Sequence, residues 1–100
     1  MDEKSGVRRD SRVPAAERVL VTWRDREGNE KFAYAQTVDV SEFGMRIQVP
    51  EPLPERGYVT FRADSLDLQG TASVRSCVRK GAKYLAGLEF SGGLRWEPKS

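Results

Sequence analysis

No stretch of this chain sustains a helical period, and six runs instead alternate apolar and polar residues with the period of two that a half-buried strand requires. A first strand begins near Glu17, with Val19, Val21 and Trp23 on one face. A second runs from about Glu30 to Val40, where Phe32, Tyr34, Val38 and Val40 share one parity, and a third from Gly44 to Val49 repeats the pattern with Met45, Ile47 and Val49. The fourth, Tyr58 to Ala63, turns Val59 and Phe61 inward. The fifth, about Leu66 to Arg79, aligns Ala72, Val74, Ser76 and Val78, and Gly70 is expected to mark a bulge or bend in it. The sixth, Lys83 to Phe90, aligns Tyr84, Ala86, Leu88 and Phe90. Turn chemistry separates the runs: Arg26-Glu27-Gly28-Asn29, Asp64-Ser65, Lys80-Gly81, and a Pro50 to Pro54 segment that lacks the donors a ladder needs. Six strands with short connections in 100 residues predict one all-β domain, a six-stranded antiparallel barrel rather than a sandwich.

The ends read differently. Residues 1–13 carry one aliphatic residue, Val7, among charges before Val13 and Pro14, and are expected to form a flexible N-terminal arm. Residues 14–91 form the barrel and 92–100 a tail in which Gly92, Gly93 and Pro98 oppose a helix. Leu94 and Trp96 are left either to cover a barrel end or to pack on a partner.

Several chemistries are excluded by what the chain lacks. There is no histidine, so His-based triads are absent, and the single cysteine, Cys77, makes neither an internal disulfide nor a zinc site by itself. No nucleophile stands beside a base and no paired catalytic carboxylates are apparent, so an enzyme is not expected, and neither a cofactor nor a metal site. No apolar run approaches the roughly 20 residues of a membrane helix, and a cytoplasmic location is expected. The net charge of +2 is too small for nucleic-acid coating, but most of the 17 basic residues are arginine, which favours planar bidentate partners.

Two short motifs stand out. Asp39-x-Ser41-x-x-Gly44 lies between the second and third strands, where a plain β-turn accounts for all three residue types. A pattern of that kind arises by chance in about one such chain in twenty. Upstream, Arg8-Arg9-Asp10-Ser11-Arg12 spaces two arginines four apart, and Arg75 and Arg79 repeat that spacing on the fifth strand. The order decides more than either motif: an arginine pair before the first strand, Asp39-x-Ser41-x-x-Gly44 after the second, and a last strand ending Gly87-Leu88-Glu89-Phe90. From about Arg8 to Phe90 this resembles the PilZ family, whose two motifs bind cyclic di-GMP.

The resemblance implies a six-stranded barrel and a bacterial second-messenger receptor acting on a downstream protein partner. Arg8 and Arg12 match the family's motif arginines, with Arg9 a weaker candidate between them. Arginine can grip phosphate, fork onto guanine O6 and N7, or lie on a purine face. Asp39 is expected to accept from guanine N1 and N2, with Ser41 beside it. Gly44 lets the chain reverse; Arg75 and Arg79 read as solvated strand charges, with Arg75 also a candidate to reach the ligand from the barrel wall. On this reading Asp39→Asn impairs binding and leaves stability nearly unchanged. PilZ domains usually carry a helix after the last strand, and residues 91–100 do not read as one: either the helix is missing or the sequence stops short of it. One alternative is a PilZ-like adaptor that binds protein and no nucleotide. Another is a barrel binding single-stranded RNA, which needs Tyr58 or Tyr84 on an open face.

Overall fold

A computed structural model describes residues 13–97. The strands are β1 (Val13–Pro14), β2 (Arg18–Arg24), β3 (Glu30–Ser41), β4 (Gly44–Val49), β5 (Tyr58–Ala63), β6 (Leu68–Lys80) and β7 (Lys83–Phe90). One 3-10 turn, Asp64–Leu66, precedes β6, and no α-helix occurs among the described residues. All pairings are antiparallel in the order β1-β3-β2-β5-β6-β7-β4, and β4 pairs again with β3. That last pairing closes a six-stranded barrel. β1 is the additional strand, laid on β3 beyond the end of β2, with Val13 opposite Val40 and Pro14 opposite Asp39. Closure leaves the six barrel strands without a long open edge, which is how a small all-β domain avoids pairing with its neighbours.

The interior follows the alternation for most of the chain. Val19, Val21, Met45, Ile47 and Val49 are completely buried, and Phe61 stacks on Phe90 with ring centroids 5.5 Å apart. Each such side chain withdrawn from water contributes about 1.5–3 kcal/mol before chain entropy is counted. Local turn chemistry also holds, with one addition. In the β2–β3 connection Gly28 takes a positive φ of 85°, and the Asp25 carboxylate accepts from the backbone N–H of Glu27 at 2.9 Å and of Asn29 at 2.8 Å. Those bonds to its charged form lower the Asp25 pKa, the one to Asn29 most.

Alternation fails at two bulges. The β3–β4 register slips by one residue between Thr37 and Asp39, which leaves Val38 extra. Odd-numbered Ala33, Ala35 and Thr37 are therefore buried before it and even-numbered Val40 after it. Phe32 and Tyr34, expected on the inward parity with Val40, lie exposed on the outer surface, and Val38 is only half-buried. The second slip lies between Val74 and Ser76 and leaves Arg75 extra. Cys77 now packs against the core while Val78 is exposed and Ser76 faces out. The Pro50–Gly57 loop folds over this second bulge. Arg56 N–H donates to the Val74 carbonyl at 2.8 Å, Val74 N–H to the Gly57 carbonyl at 2.9 Å, and Leu53 is buried beneath.

Gly70 is not a bend: it pairs in regular register with Phe61. Its missing side chain makes room for Leu94, since a Cβ there meets Leu94 Cδ2 at 2.7 Å. The tail thus covers the barrel, with Leu94 and Trp96 partly buried against the core and Trp96 N–H donating to the Glu42 carbonyl at 2.9 Å.

Gly44 has an analogous role at backbone level. Its φ is not positive, but a Cβ there would lie 2.2 Å from the Leu88 carbonyl oxygen. Since a main-chain carbonyl cannot rotate away, Gly44→Ala is expected to cost about 3 kcal/mol, at the top of the overpacking range. The thermal midpoint should drop by roughly 12–24 °C. Gly87→Ala meets only the Ser76 hydroxyl, at 2.9 Å, and should stay within about 4 °C of the parent in the same melting experiment. Equal losses for the two variants would overturn the close-approach account.

Candidate functional site

The bulge at Val38 sets up the site. Downstream of it Asp39 stands opposite Arg46 in the β3–β4 ladder and Ser41 opposite Gly44, with Glu42 and Phe43 as the connection. Asp39 is 6% exposed, and its Oδ2 accepts from Arg46 Nε at 2.9 Å and also from Arg46 Nη2, which completes an ion pair. The hydrogen bonds and charge of Asp39 push the Arg46 guanidinium above its ordinary range. The raised pKa keeps Arg46 charged past the free-arginine value, so deprotonation of the guanidinium takes nothing from this pair through neutral pH.

Ser41 caps the turn as its residue type suggests: its hydroxyl, also buried, donates to the Gly44 carbonyl at 3.2 Å. The connection is then pinned from outside. Phe90 N–H donates to the Phe43 carbonyl at 2.8 Å, Arg95 pairs with Glu42 at 3.0 Å, and the same guanidinium lies 5.8 Å from the Phe43 ring centroid. Upstream, the Thr37 hydroxyl donates to the Ala15 carbonyl and accepts from Glu17 N–H, each at 2.8 Å. These two bonds staple the β1–β2 crossing to the bulge. Rigid backbone therefore surrounds the carboxylate on both sides.

Among the expected site residues, Asp39, Ser41 and Gly44 come together at this end of the barrel. Arg8, Arg9 and Arg12 lie outside the described residues. Arg75 is elsewhere on the wall, with the outer row running Asp39, Arg46, Gly87, Ser76 from β3 to β6. Three strand spacings separate Arg75's strand from that of Asp39, about 14 Å. Arg75 pairs there with Glu89 at 3.1 Å, both side chains exposed. Tyr58 is on an open face, as the RNA reading required, while Tyr84 is half-buried. A concavity of about 830 Å³ opens at the other end of the barrel between the β2–β3 connection and the proline loop. Its walls carry Asp25, Glu51 and Glu55 beside Arg24, Arg26 and Lys31, with Lys31 and Glu51 paired at 2.5 Å, so it presents no net cationic surface to an anion.

Sequence reasoning missed Arg46 and Thr37. Arg46 was accessible by counting: with Ser41 opposite Gly44 across a two-residue connection, Asp39 falls opposite Arg46. The expected neutrality of Asp39→Asn for stability also needs correction. An asparagine keeps the shape but loses the charge that partners Arg46 over a buried position.

The described residues thus form a closed barrel with a buried, ion-paired carboxylate at one end. The family model of the PilZ domain matches residues 7–95, and the chain belongs to that family, a family of binding and adaptor domains in which cyclic di-GMP is the general ligand. No curated protein matches the chain closely enough to be reported as a relative. No helix among the described residues is long and apolar enough to cross a membrane.

Arg46→Ala removes two charge-assisted bonds to a buried carboxylate. Such bonds contribute about 1.5–3 kcal/mol, which the half-exposed guanidinium reduces to about 1–2 kcal/mol. The melting midpoint should fall by roughly 4–16 °C. Asp39→Asn should lose a similar amount, and the double variant less than the sum, because the two share one interaction. Strict additivity in thermal or denaturant unfolding would show that the pair is not coupled.

Proposed function

We propose that this chain is a cyclic di-GMP receptor module that signals by ordering its N-terminal arm on the ligand. The observation that carries the reading is the β1–β3 register: Val13 pairs with Val40 and Pro14 with Asp39, so the arm joins the barrel beside the Asp39–Ser41–Gly44 turn. Arg12 is the residue next to Val13, and Arg8 and Arg9 follow within four positions. Both chemistries the ligand requires are then available at one place. Guanidinium groups from the arm take the phosphates and purine faces, and the rigid carboxylate takes a guanine edge.

Asp39 is a matched acceptor only if it is ionised and fixed, and Arg46 provides both conditions at Oδ2. A carboxylate has about four lone-pair directions, so it can serve more than one donor. Ordering the arm costs about 1–2 kcal/mol per backbone residue, which the new contacts must exceed. In return the loaded state presents a surface to a downstream protein that the free state lacks. The adaptor alternative draws on the same ion pair, since a carboxylate already neutralised by Arg46 can serve purely to brace the barrel.

Calorimetric titration with cyclic di-GMP separates the two readings. Arg8→Ala and Arg12→Ala should each weaken binding about ten- to a hundredfold if each contributes about 1.5–3 kcal/mol. Neither should move the melting midpoint of the barrel. Hydrogen exchange should show protection rising at saturation across residues 7–12 and near Ser41, with little change in β2, β5 and β6. Full affinity in the double arginine variant would refute the arm's role, and no heat with the parent chain would leave the adaptor.

A further inference from the structure

β6 outlasts one of its two neighbours. Its pairing with β5 ends at Ser73, opposite Tyr58, while its pairing with β7 continues to Lys80, so residues 74–80 have a strand on one side only. The other side is partly covered by the chain itself. Arg56 N–H donates to the Val74 carbonyl at 2.8 Å and Val74 N–H to the Gly57 carbonyl at 2.9 Å, as a paired strand would, and the Glu55 carboxylate then accepts from Cys77 N–H at 3.2 Å. There the loop leaves the edge through the Pro54–Gly57 turn, closed by Gly57 N–H on the Pro54 carbonyl at 3.0 Å. Backbone groups in an antiparallel ladder point alternately to one neighbour and to the other, so the Cys77 carbonyl and both backbone groups of Arg79 face the same open side as Cys77 N–H. Among the described residues no loop or turn bonds to them. An edge of this kind is a template for one more strand.

The side chains specify the occupant. From residue 75 to residue 88 the hairpin carries Arg75, Arg79, Lys80 and Lys83 and no carboxylate of its own. Arg75 is paired with Glu89, whereas Arg79, Lys80 and Lys83 make no ion pair among the described residues, and Lys80 stands directly opposite Lys83. Val78, on the same face as Lys80, is 51% exposed. A second copy added edge to edge would bring these cations against their own equivalents, which like charge opposes. An acidic strand does the reverse, and Glu55 already places a carboxylate on this edge. We infer that the open edge of β6 from Cys77 to Lys80 docks an extended acidic segment of a partner protein, paired as an additional strand. Its carboxylates face Arg79, Lys80 and Lys83, a β-branched residue covers Val78, and side chains on its inner face have room in the concavity of about 830 Å³ that Cys77 and Tyr84 line. The edge uses none of Asp39, Ser41 and Gly44 and needs no nucleotide, so it stands independently of the cyclic di-GMP reading.

Amide NMR titration of the full chain, without nucleotide, with an acetylated and amidated heptapeptide alternating Glu and Val tests it. Saturable shifts should appear from Cys77 to Lys80 by about 2 mM peptide, and a peptide with Lys in place of Glu should bind at least about tenfold more weakly. The double variant Lys80→Glu, Lys83→Glu should reverse that preference and keep the parent's melting curve, because both side chains are exposed. Methylating the peptide's backbone nitrogens at all Val or at all Glu positions should abolish binding for the set that faces the edge and spare it for the other. The inference fails if no saturable binding occurs by about 2 mM, which leaves the cations only the task of keeping the edge unpaired. It fails equally if both methylated peptides bind like the parent peptide, if the charge-reversed variant keeps the parent's preference, or if the shifts map to Phe32 and Tyr34 instead of the β6 edge.

Discussion

One extra residue in β3, Val38, governs more of this structure than any single contact. A strand of twelve residues that kept one parity would bury Phe32, Tyr34 and Val40 together. The barrel instead takes Ala33 and Ala35 on one side of the bulge and Val40 on the other, because β3 must bend to pair with β2 and β1 along one edge while meeting β4 along the other. The consequence is twofold. Downstream, Asp39 is brought opposite Arg46, and upstream the aromatics are turned to the outside. Thr37 makes the arrangement tolerable by satisfying the Ala15 carbonyl and the Glu17 N–H where the β1–β2 edge is interrupted.

The second constraint is closeness. Gly44 admits the Leu88 carbonyl at a distance no side chain allows, and Gly70 admits Leu94, so the C-terminal end of β7 is drawn onto β4 and the tail onto β6. Neither glycine is needed for an unusual backbone angle. This distinguishes them from Gly28 and Gly81, whose positive φ values of 85° and 65° belong to hairpin connections. The Asp39–Ser41–Gly44 turn is consequently held by four elements: β1, β4, β7 and the tail.

On the proposed reading the labour divides between a fixed acceptor and an incoming set of cations. The buried carboxylate of Asp39 is held by its partners, so in that proposal selectivity for a guanine edge rests on geometry established at folding. The aromatic outer face lies on the same β3, with Tyr34 five residues from Asp39, and a change at one end of that strand has a short covalent path to the other.

The sequence by itself determined the strands, their order and their closing turns, because alternation and turn chemistry are local: Val19 to Trp23, Met45 to Val49 and Ala86 to Phe90 face inward as their spacing implies. It also determined the ligand-type residues of the motif, since Asp39 and Ser41 needed only to be present. Tertiary structure decided which way Phe32, Tyr34, Cys77 and Val78 point, and that Gly44 and Gly70 serve close packing. A bulge is a mismatch between two strands' registers, and no single strand records the count of the strand it will pair with.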